Sequence, residues 1–346
     1  MAVVIHHVCQ AWQVADHVSL AGQLLEWLGT WGVTLFFVLS GFCIHLPQAQ
    51  RRAADPSYRV DWARFAKRRA RRLLPTHYAA LIISAIVGLY ITTALISRPT
   101  VGSFVSHVVM AHVWYGPYFL SINAVFWSIA VECHFYCCYP AYLIGARRMG
   151  PLITVLLLLC VGLVCYGIAS TLLRGATRAA FQAFFLVSWW QWALGAGIAE
   201  YYARRGRRSW QALFAARWFA PACVLSSLVL GIWDGTVAGL HIRNWLLPIA
   251  CAGIVVSRVS RDADIRPSAG LSYLGHFSYS IYLIHPVALA LLYLLPDYRQ
   301  LTAPVGVPLA ILVSLAVAWV FYLLIERRFI SRTARAHSAA VTTAAT

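Results

Sequence analysis

Charge is what this chain has least of. Only 11% of its 346 residues are Asp, Glu, Lys or Arg, against 61% that are apolar, and the acids number 11 in all. Soluble domains carry about a quarter charged residues, so the composition excludes an ordinary soluble enzyme. The chain also lacks a hydrophilic stretch long enough for a second domain, an internal repeat and a Gly-rich phosphate loop. The first absence leaves one membrane domain. The second counts against a carrier built from repeated halves, and the third against P-loop phosphate binding.

Apolar sequence in long runs is present instead, with a mean hydropathy of +0.70. Crossing the hydrocarbon core takes about 20 apolar residues. Ten segments are candidates, near residues 1–15, 27–46, 73–97, 122–144, 151–172, 180–202, 218–233, 244–257, 276–295 and 303–325. The expected fold is an all-α integral membrane protein, a polytopic bundle of about ten transmembrane helices within residues 1–330. Residues 331–346, SRTARAHSAAVTTAAT, are small and polar and are expected to form a disordered cytoplasmic tail.

The net charge of +17 comes from 28 Lys plus Arg. With the N-terminus placed in the cytoplasm, 23 of the 28 fall in cytoplasmic segments, nine of them between Arg51 and Arg72. The other side holds Arg98, Arg174, Arg178, Arg243 and Arg299. That asymmetry is the positive-inside pattern. It makes the charge an orientation signal, places both termini in the cytoplasm and removes nucleic acid as a partner.

Nine cysteines fall within or at the ends of predicted helices, where they read as small buried hydrophobes. Cys133 and Cys137 lie one helical turn apart with His134 between them. A metal site would need further ligands in a closed geometry, so no metal is expected.

Ionisable groups at membrane depth usually face the bundle interior and mark function. In FWSIAVECHFYCCYP, residues 126–140, helical spacing puts Ser128, Glu132, Tyr136 and Tyr139 on one face. In FSYSIYLIHP, residues 277–286, it aligns Ser278, Tyr282 and His285, and MAVVIHHV adds His6 and His7. Two imidazoles and a carboxylate could form a proton-handling centre, or could simply bond helix to helix. The basic run RRAADPSYRVDWARFAKRRARR, residues 51–72, serves orientation and lipid headgroups. Next to a helix start it also suits a phosphorylated cytosolic ligand such as coenzyme A.

These motifs together resemble the membrane acyltransferase family 3, which includes O-antigen acetylases. GVTLFFVLSGFCI at 32–44 is similar to the family's second helix, and FAKRRARRLLP at 65–75 to its basic entry into the third. NAVFWSIAVECHFYCCYP at 123–140 resembles its Trp-Ser-x-x-x-Glu helix. FSYSIYLIHP at 277–286 and YLLIERRFI at 322–330 resemble its late motifs. The likeness covers about residues 1–330.

The resemblance implies transfer of an acyl group, with acetyl expected, from a cytosolic acyl-CoA to a hydroxyl. Acceptors in the family are cell-surface sugars, lipid-linked glycans, macrolides and nodulation factors. It implies a bacterial inner-membrane enzyme with no bound cofactor, touching lipid, its acyl-CoA and its acceptor. His7 takes the place of the catalytic histidine, as general base or as the carrier in an acyl-histidine relay, with Glu132 as the acid that orients it or stabilises its imidazolium. Arg69 and Arg72 would hold the CoA phosphates, and Ser40, Tyr282 and His285 would complete the substrate site. The family's first-helix Arg would fall before Met1. The resemblance therefore implies either an earlier start or that Arg69 or Arg72 takes its place. A proton-coupled membrane transporter is the competing class, since buried His and Glu across ten spans suit one as well.

Overall fold

A computed structural model describes residues 1–14, 19–205, 219–232, 236–237, 240–260, 269–295 and 298–330. The tail 331–346, expected to be disordered, lies outside the described residues.

Thirteen α-helices carry the described chain. They are α1 (Ala2–Ala11), α2 (Leu20–Ala54), α3 (Trp62–Tyr90), α4 (Val101–Val108), α5 (Phe126–Arg148), α6 (Pro151–Leu172) and α7 (Gly175–Gln182). After them come α8 (Phe185–Arg205), α9 (Phe219–Ile232), α10 (Ile242–Ser260), α11 (Ala269–His276), α12 (Ser278–Leu292) and α13 (Ala303–Leu324). The described exception is a two-residue antiparallel ladder, Thr236–Val237 with Leu240–His241.

Local chemistry sets the helix starts. Ser19 accepts from the Gly22 N–H at the head of α2, and Asp61 from the Arg64 N–H at the head of α3. Thr100 and Ser103 form a reciprocal capping box on α4. Pro151 supplies a preset first turn to α6.

Among the described residues four helical stretches are long and apolar enough to cross a membrane: Ala21–Ala54, Trp62–Tyr90, Pro151–Leu172 and Ala303–Arg328. Ala2–Ala11, Asn244–Val259 and Ser278–Leu292 are apolar but shorter. Helices α5 and α8 have 23 and 21 residues, but aromatic and polar side chains dilute them. The structure thus establishes a helical protein with four such stretches among the described residues, which does not confirm the expected count of about ten. The span expected at 73–97 starts at Trp62 and stops at Tyr90. Its basic run is itself helical, because Asp61 caps it and Arg and Lys are good helix formers.

After α3 the chain folds back along it. The Ser97 carbonyl packs on Gly88, where a Cβ would meet it at 2.5 Å. Farther along, the Tyr78 hydroxyl donates to the Val108 carbonyl at 2.9 Å. Ten residues separate Gly88 from Tyr78, so the segment descends by about 15 Å. Its irregular backbone is tied down by protein. Asn123 donates to Ser84 Oγ and to the Leu283 carbonyl, and His107 Nδ1 donates to the Ser103 carbonyl. Such backbone is tolerated at membrane depth only where protein or a cavity covers it.

Glycine sets the close approach of α2 and α8. A Cβ on Gly41 of α2 would lie 1.9 Å from the Trp192 carbonyl of α8, and one on Gly195 of α8 at 1.9 Å from the Val38 carbonyl. Both obstacles are backbone and cannot swing aside, so only a residue without a Cβ permits this approach. Gly41→Leu should therefore cost about 1–3 kcal/mol, the range typical of overpacking. Thermal unfolding in detergent should show a clear drop. Gly167→Ala, where nothing lies within 4 Å, should leave the transition in place. Equal melting of the two variants would refute the account.

Candidate active site

A cavity of about 600 Å³ lies between α1, α2, α5, α6, α7, α8, α10 and α12. His7, Thr30, Trp127, Gln191, Trp245 and Tyr282 are among its lining residues. Three aromatic rings, an amide, two hydroxyls and an imidazole give it both apolar faces and hydrogen-bonding groups, the mixture typical of small-ligand sites.

Helix α1 presents His7 there because α2 carries small residues opposite it. Cβ atoms on Gly29 and Gly32 would collide at 2.9 Å with the His6 ring and with Val3. His6 points at α2, its Nδ1 donating to the Leu25 carbonyl at 2.8 Å. The next side chain, His7, turns away towards α12. Its Nδ1 lies 2.9 Å from His285 Nε2, with the two ring planes 15° apart. The two histidines are 278 residues apart in sequence.

Tyr282 lies one turn before His285 on α12. Its hydroxyl is 2.6 Å from Ser128 Oγ and donates to the Val125 carbonyl. Ser278, expected on the same stripe, is exposed at the helix start and bonds to the Gly275 carbonyl. Ser280 is the inward serine.

Glu132 sits elsewhere. It is 3% exposed. One carboxylate oxygen accepts from Ser40 Oγ at 2.5 Å and from the Tyr136 hydroxyl. Ser40 lies eleven residues beyond Gly29, so it is about 16 Å nearer the basic end of α2. The hydrogen bonds of Glu132 go to Ser40 and Tyr136, and that of His7 goes to His285. None joins Glu132 to His7 among the described residues.

The two arginines also part. Arg72 pairs with Glu326 at 2.5 Å, and the same carboxylate accepts from the Ser280 N–H and hydroxyl. Arg69 has no ion-pair partner among the described residues. Its guanidinium lies 5.9 Å from the centroid of the Phe65 ring, and its buried Nε has no hydrogen-bond partner. The structure thus brings together His7 with His285, and Ser40 with Glu132. It engages Arg72 with a carboxylate and leaves Arg69 available.

Two buried clusters escaped the sequence reading. Glu326, 0% exposed, locks α3, α12 and the end of α13 together. Glu200 accepts from Arg52, from Arg204 and from His45 Nε2 at 2.8 Å, while His45 Nδ1 lies 2.7 Å from the Tyr139 hydroxyl. Carboxylates in an acid-poor chain were the available signal, since Glu200 and Glu326 both border apolar runs. His77, His107 and His112 form a third buried group, with the last two rings stacked 3.7 Å apart. Among the described residues no group of three or more His, Cys, Asp or Glu is arranged to hold a metal ion.

The sequence model of the third acyltransferase family, described as an acyltransferase domain, matches residues 1–323. The chain belongs to acyltransferase family 3. No curated protein matches it, and no solved structure does. For a family 3 acyltransferase the cavity-lining imidazole is the group to examine first. A hydroxyl cannot attack a carbonyl efficiently at neutral pH until something accepts its proton.

Proposed function

We propose that the protein is a membrane O-acyltransferase, with about ten crossings and cytoplasmic termini in a bacterial inner membrane. It moves an acyl group, with acetyl expected, from cytosolic acyl-CoA to a hydroxyl of a glycan, lipid-linked glycan or macrolide-type acceptor. The observation that carries this reading is His7, held by α12 in the wall of a cavity large enough for a small substrate. As the acceptor oxygen attacks the thioester carbonyl carbon, His7 Nε2 takes its proton. The C–S bond then breaks, and the imidazolium returns the proton to the departing CoA sulfur.

Arg69 is the cation we assign to the CoA phosphates, because Arg72 is already committed to Glu326. Ser40, Glu132 and Tyr136 form a polar bridge between α2 and α5 on the way to the basic end. Glu132 thereby positions helices and does not orient the base.

Purified protein in liposomes, supplied with acetyl-CoA and candidate glycans, tests the reading through CoA release and acceptor mass. Arg69→Ala should raise KM for acyl-CoA roughly ten- to a hundredfold, the loss of one charge-assisted phosphate contact, with kcat little changed. Arg51→Ala, whose guanidinium donates to the Tyr58 hydroxyl, should stay near the parent. A KM for Arg69→Ala equal to that of Arg51→Ala would reduce the basic run to a diffuse patch.

A further inference from the structure

We propose that His285, set by the proline that follows it, is the positioning residue that fixes the tautomer of His7. The inference rests on the reading of His7 as the base and says which nitrogen does the work.

The argument starts at Pro286. A proline has no N–H, so the carbonyl four residues before it loses its helical donor. That carbonyl belongs to Tyr282. In the structure His285 Nδ1 lies 2.9 Å from the Tyr282 oxygen and 3.0 Å from the Ile281 oxygen. Both are acceptors only, so Nδ1 must carry the hydrogen. A neutral imidazole has one N–H, which leaves His285 Nε2 as a lone pair. His285 is fully buried, where an unshared proton on this nitrogen would face another ring and not water.

The next link is His7. Its Nδ1 is 2.9 Å from that lone pair, so Nδ1 of His7 donates. The single hydrogen of a neutral His7 is then spent on His285, and Nε2 is bare. Nε2 makes no hydrogen bond among the described residues, and His7 lines the cavity. The chain from Pro286 to Tyr282, His285 and His7 thus delivers an unprotonated nitrogen to the place where a hydroxyl proton must go. Glu26 of α2 also lines the cavity, and the N-terminal amine of α1 acts on His285 only through charge. Arg72 is engaged with Glu326, and Glu132 with Ser40 and Tyr136. A neutral acceptor therefore does here what a carboxylate does in a hydrolase triad, where the third residue sets the tautomer of the base.

Two variants separate positioning from packing. His285→Leu keeps apolar bulk but offers no acceptor. His285→Gln offers an amide oxygen. Expected results are a fall in kcat of about a hundredfold for Leu, with KM for acyl-CoA unchanged, and recovery to within about tenfold of the parent for Gln. Pro286→Ala restores a competing N–H to the Tyr282 carbonyl and should lower kcat less than Leu does. Nitrogen-15 spectra of histidine-labelled protein read the tautomer itself, with the His7 resonances assigned by their loss in His7→Asn. The Nδ1–H form is expected in the parent and the Gln variant, and its loss in the Leu variant. An Nε2–H form of His7 in the parent would overturn the proposal, as would equal kcat for Leu and Gln variants that are both folded. The spectra stand apart from turnover. An inactive parent with His7 in the Nδ1–H form would sink the acyltransfer reading and keep the tautomer assignment.

Discussion

His7→Ala should abolish acyl transfer, lowering kcat by about 10²- to 10⁴-fold, the range for a positioned general base. The protein should still insert and unfold at nearly the parental temperature, because His7 is only partly buried and its hydrogen bond to His285 joins two helices that are also packed by apolar side chains. His6→Ala should cost far less. His6 bonds the Leu25 carbonyl and faces α2, so its loss loosens α1 without removing a proton acceptor. The measurement is turnover of both variants in liposomes at saturating acyl-CoA. Parental turnover of His7→Ala would remove it from the mechanism.

Arg72→Ala should damage stability more than binding. Glu326 is 0% exposed and Arg72 38% exposed. Removing the cation strands a buried carboxylate, a change that costs about 3–5 kcal/mol. Partial exposure of Arg72 lets water screen the pair and places the expected loss near the lower end, about 3 kcal/mol. The double variant Arg72→Met with Glu326→Gln, which removes both charges, should recover most of it. Chemical or thermal unfolding of the three proteins decides the matter. If Arg72→Ala unfolds like the parent but binds acyl-CoA poorly, Arg72 belongs with Arg69 at the phosphates.

Much of the architecture was legible because membrane helices announce themselves. The apolar runs at 151–172 and 303–325 match α6 and α13 within a residue or two. The polar stripe of α5 was legible too, since helical spacing alone puts Ser128 and Glu132 on one buried face. Depth was not legible. Sequence places Glu132 and His7 both within apolar segments, and nothing in either segment says at what height each lies. The height is set by Gly29 and Gly32, which fix where α1 lies on α2, and by the short reach of α1, ten residues. The basic asymmetry gives sidedness, not register. The folded-back segment after α3 was also hidden, because residues 101–108 have the apolar content of a span without its length.

The distance in sequence between His7 and His285 has a consequence for biogenesis. The ribosome delivers His7 first and His285 only after nearly the whole bundle has been threaded. The buried Asn123 likewise waits for the Leu283 carbonyl, 160 residues downstream. Non-local closures of this kind come late, after the loop entropy has been overcome. A nascent or truncated chain lacking α12 therefore cannot assemble the histidine pair, however well its early helices insert. Closure of the pair is thus one of the last steps in assembling the bundle.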